Sequence, residues 1–295
     1  MPDAHCSGST GEQMKLIESK RELKRSIVTA KNEGKSIGFV PTMGFLHAGH
    51  VSLMRRAKVE TDVVVVSVFV NPTQFGAGED LDAYPRDRQR DCERMTKEKV
   101  DIAFFPETET IYTGGHATFV EVEGRMTHVL CGRSRPTHFK GVTTVITKLL
   151  NMVSPDRAYF GQKDAQQVCV VKQMVRDLDF DVQIVTCPIV RESDGLAMSS
   201  RNAYLTPEQR SQAPILYHSL CEAKTMIERG ERSAPAIVER LEKQLKTIEN
   251  ATIDYVAVVD AATLEELERI EGATLIALAV KLGKTRLIDN VRVEV

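Results

Sequence analysis

Two histidines and two glycines fall within one short stretch, Pro41-Thr42-Met43-Gly44-Phe45-Leu46-His47-Ala48-Gly49-His50. An apolar run, Ile37-Gly38-Phe39-Val40, reads as a buried strand before it, and Val51, Leu53, Met54 and Ala57 after it share one helical face. A strand-to-helix turn presents unpaired N–H groups and the positive end of a helix dipole, a setting that suits an anion. Glycine at 44 and 49 lets the backbone approach a ligand with no Cβ in the way. Imidazoles three residues apart can both donate to one phosphate chain. The pattern is an HxGH nucleotide-binding signature and points to ATP. Its plainer reading is a helix N-cap, and a zinc site lacks a third ligand at suitable spacing.

Three further segments carry polar side chains. Asn71-Pro72-Thr73-Gln74-Phe75 follows an apolar run ending at Val70, and Phe160-Gly161-Gln162-Lys163-Asp164 leads into Gln166-Gln167. Met198-Ser199-Ser200-Arg201-Asn202 lies in a polar loop. Taken singly, these read as a turn, a capped helix start and a surface loop. Their convergence matters more. Three of the four motifs sit at carboxyl ends of inferred parallel strands, where open α/β sheets bind ligands, and the fourth lies in a loop able to close over them. Gly34-Lys35-Ser36 is a decoy for a phosphate loop, because Thr29 stands where the leading glycine belongs and helix precedes strand.

The elements that must position these residues follow from periodicity. Strand-like runs recur at 36–41, 63–70, 101–105, 157–161 and 182–186. A first helix is marked by Leu16, Ile17, Leu23, Ile27 and Val28. Phe139 to Val153 and Val168 to Leu178 carry apolar stripes at helical spacing. Alternation of this kind predicts an α/β fold, a Rossmann-like parallel sheet with helices on both faces. Beyond Cys187-Pro188 the spacing predicts helices at 207–229 and 234–248, then strands at 252–259, 274–280 and 285–294 around a small helix near 263–269. These make a smaller C-terminal α+β domain. The expected division is 1–187 for ATP and the acid substrate and 188–295 for a lid over the site. Residues 110–135 read as an insertion of open form with a short Thr118–Val122 run. Arg86 to Asp91 reads as a solvated helix, with Tyr84 and Asp91 as exceptions facing the site.

Composition narrows the class. The 295 residues carry 39 basic and 41 acidic side chains, a net charge of −2, which argues against a dedicated nucleic-acid or membrane-surface binder. Cysteines at 6, 92, 131, 169, 187 and 221 form no CxxC pair and read as reduced thiols. The start MPDAHCSGSTGEQ has no apolar core of the signal-peptide kind, and the run at Val63–Val70 is too short to cross a bilayer. A cytoplasmic protein is expected.

The segments PTMGFLHAGH, SVFVNPTQF, YPRDRQRD, RPTHFKGV, FGQKDAQQ and RESDGLAMSSRNAYL run in order across residues 41–205 and resemble the pantothenate synthetase family, the pantoate–β-alanine ligases. The nucleotide-binding domain of that family is in turn similar to class I aminoacyl-tRNA synthetases. Departures are Phe45, Ala48, Thr137 and Gln162, the last replacing an acid. The resemblance implies a two-step reaction. Pantoate's carboxylate attacks the α-phosphorus of ATP to give pantoyl adenylate and pyrophosphate, and β-alanine's amine then displaces AMP. It also implies Mg2+, with Asp91 as candidate ligand, and a homodimer.

That chemistry asks for charge neutralisation more than proton transfer, since a carboxylate is already ionised at pH 7. His47, His50, Lys163 and Arg201 are the candidate catalytic groups. Pro41 to His50, Gly161 to Asp164, Val190 and Met198, Ser199, Ser200 and Arg201 are candidate ATP contacts. Gln74, Gln167 and Asn71 suit a small hydroxy acid, since amides orient a carboxylate without blunting its nucleophilicity. Another HxGH nucleotidyltransferase acting on a phosphorylated acceptor would want more cations. A nucleotide-sensing module would not need both glutamines. A tRNA-charging enzyme is disfavoured by the charge balance.

Overall fold

Strand and helix alternate through the first part of the chain: β1 (Lys15–Ile17), α1 (Lys20–Asn32), β2 (Ile37–Thr42), α2 (Ala48–Glu60), β3 (Val63–Val68), α3 (Arg88–Lys97) and β4 (Ile102–Phe104). Two short helices follow, α4 (Thr108–Ile111) and α5 (Cys131–Ser134), then α6 (His138–Val153), β5 (Arg157–Gly161), α7 (Ala165–Asp177) and β6 (Gln183–Cys187). The computed structural model describes residues 13–295, so the polar start with His5 and Cys6 lies outside the described residues.

The six strands form one sheet in the order β1-β4-β3-β2-β5-β6, parallel throughout. From β2 the chain winds first toward β4 and then returns to add β5 and β6 on the other side. The reversal puts the switch point between β2 and β5, where doubly wound sheets bind ligands. Period-two alternation assigns each side chain to a face. Ile37, Phe39, Val63, Val65, Ile102 and Phe104 pack under α1, α6 and α7. Val40, Val64, Val66 and Ala103 pack under α2 and α3, through Leu53, Met54, Ala57 and Met95. Each such buried Val, Leu, Ile, Phe or Met side chain contributes about 1.5–3 kcal/mol, so a sheet covered on both faces is strongly specified.

The second unit contains α8 (Pro207–Gln212), α9 (Ile215–Glu228), α10 (Ala234–Leu245), β7 (Ala251–Asp260), β8 (Ala273–Leu282) and β9 (Thr285–Glu294). Its strands make an antiparallel sheet in the order β7-β8-β9. Ile276, Leu278 and Val280 face α9 and α10. The alternate residues Leu275 and Ala277, with Ala257 and Val259, pack on Val129, Leu130 and Ala165 of the first unit.

Several expected elements differ. Leu16 and Ile17 belong to the edge strand β1, not to the first helix, which Ser19 caps by accepting from Glu22 N; Val28 lies exposed. The 207–229 helix is broken at Ala213-Pro214 into α8 and α9. No helix forms near 263–269. The Asp260 carboxylate there accepts from the N–H groups of Ala262 and Thr263, and Val259 bridges Glu266. The Thr118–Val122 run forms no strand but is held along α6 by Thr143 and Thr144, which bond the backbone of Val120.

One close approach ties the fold to the site. Helix α6 crosses the Asn71–Gln74 turn so tightly that a Cβ on Gly141 would lie 2.3 Å from Thr73 O and 2.6 Å from Gln74 N. Helix propensity favours alanine over glycine by about 0.8–1 kcal/mol, but the facing atoms are backbone and cannot yield. Gly141→Ala is therefore expected to destabilise by about 1–3 kcal/mol, seen as a lower denaturation midpoint at unchanged m-value. A stabilised variant would contradict this packing.

Candidate active site

A cavity of about 1220 Å³ opens over the β2/β5 switch point, bounded across from it by β8 and β9. It exceeds the usual range for a single small ligand, about 300–1,000 Å³, and suits a nucleotide with a second substrate. Residues of all four motifs line it: Pro41, Thr42, Met43, His47, Gly49 and His50; Asn71 and Gln74; Gly161, Lys163, Asp164 and Gln167; Val190, Met198, Ser199, Ser200 and Arg201. Gly44, Phe45, Leu46, Ala48, Gln162 and Asp91 do not.

Asp91 explains part of that absence. Its carboxylate reaches from α3 and accepts from Phe45 N at 2.8 Å and Leu46 N at 2.7 Å. These amides belong to a turn in which Gly44 has φ 84° and Phe45 φ 49°, the left-handed region. Leu46 is fully buried, and Arg90 covers the Phe45 ring at 4.7 Å. Burial pushes the Asp91 carboxyl up, while the two backbone N–H groups favour its charged form. The expected Mg2+ ligand is thus an anchor beneath the turn. Among the described residues no three His, Cys, Asp or Glu side chains gather as a metal site.

Beyond the turn, His47 caps α2 by accepting from Gly49 N through Nδ1 at 3.1 Å, and His50 Nδ1 accepts from His47 N at 3.2 Å. Accepting from an N–H requires an unprotonated Nδ1, so each ring carries its proton on Nε2 and offers it as a donor. The capping and phosphate-binding readings are therefore compatible. Burial lowers the pKa of His47 to about 2, with further lowering by His50 and Lys163. Burial likewise lowers His50 to about 4, with Asp164 opposing. Both are neutral donors at pH 7.

Asn71 is committed to its own turn. Its Nδ2 donates to Gln74 Oε1 and Gly141 O, both at 3.1 Å, and its Oδ1 accepts from Tyr112 Oη at 2.7 Å and Thr73 Oγ1 at 2.9 Å. It therefore presents Gln74 and keeps no donor for a substrate. Gln74 Nε2 makes only a weak contact to Met43 Sδ at 3.0 Å. Gln166 is buried and bonds Cys131 N, Met126 O and Val129 O, which leaves the partly exposed Gln167 facing the cavity.

The arginines lining the cavity are already paired, whereas Lys281 and Lys284 sit exposed on its wall. Arg201 forks onto Asp80, both bonds at 2.8 Å, and Arg135 forks onto Glu79 at 2.8 and 2.5 Å. Burial alone would raise both carboxyls, yet Arg201 and Arg135 hold Asp80 and Glu79 below the usual carboxylate range. Lys163 differs: its nearest carboxylate oxygen, on Asp164, is 3.8 Å away. Glu79, Asp80, Arg135 and His138 escape a reading of the sequence. His138 and Arg135 both donate to Gln74 O, at 2.9 and 3.3 Å. The only signal for them is the RPTHFKGV segment, whose side chains cannot be assigned from spacing.

A parallel doubly wound sheet with a histidine-capped helix, a lysine turn and paired amides over its switch point defines an ATP-using enzyme of the HxGH class. A family model described as pantoate-beta-alanine ligase matches residues 15–292, and the chain belongs to that family. The pantothenate synthetase of Acetivibrio thermocellus is 56% identical over 282 residues, covering 96% of this chain and 100% of the relative. That of Thermotoga neapolitana is 55% identical over 277 residues, covering 94% and 99%. The crystal structure of pantothenate synthetase from Thermus thermophilus superposes with a TM-score of 0.90 at 44% identity, covering 94% of this chain and 99% of that one. A Francisella tularensis pantoate-beta-alanine ligase, complexed with beta-gamma ATP and beta-alanine, superposes with a TM-score of 0.77 at 35% identity, covering 94% and 97%. The chain is accordingly an ATP-dependent pantoate–β-alanine ligase, and the nucleotidyltransferase alternative is not favoured.

Two outcomes follow from the geometry. His47, His50 and His138 are half-buried and neutral, with pKa values depressed by desolvation, to about 4 for His50 and His138. The unfolded chain binds more protons below its imidazole pKa of roughly 6.5. Their stabilisation is thus complete above that pH and is lost as pH falls toward 4. Thermal midpoints should drop over this window, and His138→Asn should flatten the drop; an unchanged slope would contradict the burial. Asp91→Asn turns an amide N–H toward a backbone N–H and should cost about 1–3 kcal/mol, with slowed adenylate formation. Full activity in that variant would show that the turn sets itself without the carboxylate.

Proposed function

We propose that the cavity adenylates pantoate and then passes the pantoyl group to β-alanine. The observation that carries this reading is the convergence of two neutral imidazole donors, the loosely paired Lys163 and the amides of Gln74 and Gln167 on one cavity at the switch point. ATP would lie with its phosphates toward the α2 N-terminus, where the helix dipole favours anions. Met43 would pack by the adenine and Asp164 accept from the ribose. Gln74 and Gln167 would orient pantoate's carboxylate toward the α-phosphorus.

In the first step the O–P bond to pantoate forms as the bond to pyrophosphate breaks. The added negative charge meets His50 and His47 as donors and Lys163 as a fixed cation. Arg201 can join by sharing its guanidinium between Asp80 and the phosphates. Mg2+ would enter with ATP as part of the substrate, because it binds few protein carboxylates and keeps phosphate and water ligands. In the second step the amine of β-alanine attacks the acyl carbon and AMP leaves. The loop holding Val190 and Met198–Arg201, with the unit at 188–295 as a lid, would keep water from the adenylate. No described helix is long and apolar enough to cross a membrane. The scattered cysteines with no CxxC pair favour a reducing, cytoplasmic setting, and the family resemblance implies a homodimer.

The test is pantoate-dependent ATP–pyrophosphate exchange, run against a panel of small hydroxy acids. Pantoate alone should support exchange, and AMP should accumulate only when β-alanine is added. His50→Ala and Lys163→Ala should each slow exchange by about a hundred- to a thousandfold while leaving the fold intact. Exchange with another acid but not pantoate would move the substrate, and near-wild-type exchange in either variant would remove that residue from the phosphate site.

A further inference from the structure

The short turn Gln162–Asp164 that carries Lys163 has no side-chain cap and no buried residue of its own. What holds it comes from the other unit. Asn290, buried on the edge strand β9, donates from Nδ2 to the carbonyl oxygens of Gln162 and Lys163, both at 3.0 Å. Its Oδ1 accepts from Gln162 Nε2 at 3.1 Å. The amide of Asn290 thus makes three bonds to two consecutive residues. Gln162, which stands in place of an acid, is spent on this contact.

The preceding residue of the same strand grips a second segment. Asp289 accepts from Arg191 at 2.6 and 3.0 Å and from Asn290 N at 2.7 Å. Arg191 in turn lies over the Tyr217 ring at 3.6 Å and begins the loop that carries the Met198–Arg201 residues. Adjacent side chains of β9 therefore fix both the lysine turn and the root of that loop against the C-terminal sheet.

We infer that Asn290 is a positioning residue for Lys163, holding the lysine's backbone from the C-terminal unit so that its ammonium meets the phosphates. The inference rests on the reading that Lys163 acts on those phosphates. A long side chain on an uncapped turn samples many positions, and a displacement near 1 Å at a reacting centre can cost about a hundredfold in rate. Two carbonyls pinned by one buried amide remove that freedom; Asn290 borders the cavity, but its amide is spent on these bonds, so it acts through Lys163.

The test is a double-mutant cycle in the full chain, read by pantoate-dependent ATP–pyrophosphate exchange with Asn290→Ala, Lys163→Ala and the double variant. Asn290→Ala should lower kcat by up to about a hundredfold, with KM for pantoate little changed. In the Lys163→Ala background the same change should cost almost nothing, because the two residues act as one unit. Asn290→Asp keeps the shape but turns acceptors toward the two carbonyls, and should reproduce the loss if the alanine variant folds poorly. An equal loss in both backgrounds, an Asn290→Ala enzyme at wild-type rate, or failure of both variants to fold would each overturn the inference. A Lys163→Ala enzyme at wild-type rate would instead sink the reading of Lys163, and the inference with it.

Discussion

β2 and β5 hold each other through a ladder at only Gly38–Arg157 and Phe39–Ala158, and the crevice that the rest of the molecule serves begins where that ladder stops. On the far side, β2 stays paired with β3 as far as Thr42–Val68, and β5 with β6 as far as Gly161–Cys187. The base of the short ladder is pinned. Asp156 accepts from Ile37 N at 2.6 Å and donates its own N–H to Ile37 O at 2.9 Å. Gly38 is needed because a Cβ there would lie 2.3 Å from Thr61 Oγ1. Since Ile37 O faces β5 while Thr42 O accepts from Phe69 N beside β3, the odd positions of β2 face β5. The N–H missing at Pro41 is then one that would have pointed into the crevice, so opening the sheet strands no donor of β2 there.

The two chain ends emerging at that crevice are loops, and each is gripped by a buried side chain from elsewhere. Asp91 fixes the first by catching consecutive amides, and Asn290 fixes the second by feeding consecutive carbonyls. The same need is met with opposite chemistry. An N–H pair in a left-handed turn wants an anion, whereas a pair of carbonyls wants an amide donor. Both anchors sit outside the motif they serve. Spacing in the sequence therefore gives no hint of the pairing, 46 and 45 residues away for Asp91 and 128 and 127 for Asn290.

What can be read in advance follows from that distinction. Period-two and helical stripes mark β2, β3, β5, β6, α6 and α7 because each buries one or both faces against a contiguous apolar layer. β1 reads as part of a helix because three residues, with Leu16 half exposed, carry no period at all. The helix expected near 263–269 fails because Leu264 and Leu267 suit helical spacing, yet the Asp260 side chain offers the backbone a turn instead. Within the site, the loop motifs at strand ends are legible as positions, and their roles less so. Asn71 and Asp91 look like ligands by residue type, but their polar atoms are consumed by backbone and neighbouring side chains. Arg135 and His138 sit in a stretch with no period, and their partners Glu79 and Gln74 are distant in the chain.

The electrostatic state of the cavity follows from these commitments. A wide polar site able to take a triphosphate would be costly to keep lined with bare cations, since burying an unpaired charge is penalised heavily. Here the lining residues Arg135, Arg201 and Arg286, and Arg191 behind the wall, lie on Glu79, Asp80, Asp254 and Asp289 respectively. The imidazoles avoid the penalty differently: burial keeps them neutral, and accepting at Nδ1 around the start of α2 fixes the proton on Nε2. Positive charge is then left where it costs least, at a helix N-terminus, at Lys163 on its turn and at the exposed Lys281 and Lys284. A neutral donor and a helix dipole stabilise added negative charge without having to lose a partner first, whereas Arg201 must trade part of Asp80 to do so. On the proposed reading, these resting hydrogen bonds set the order in which the groups would meet a phosphate chain: histidines and lysine at once, arginine after exchange.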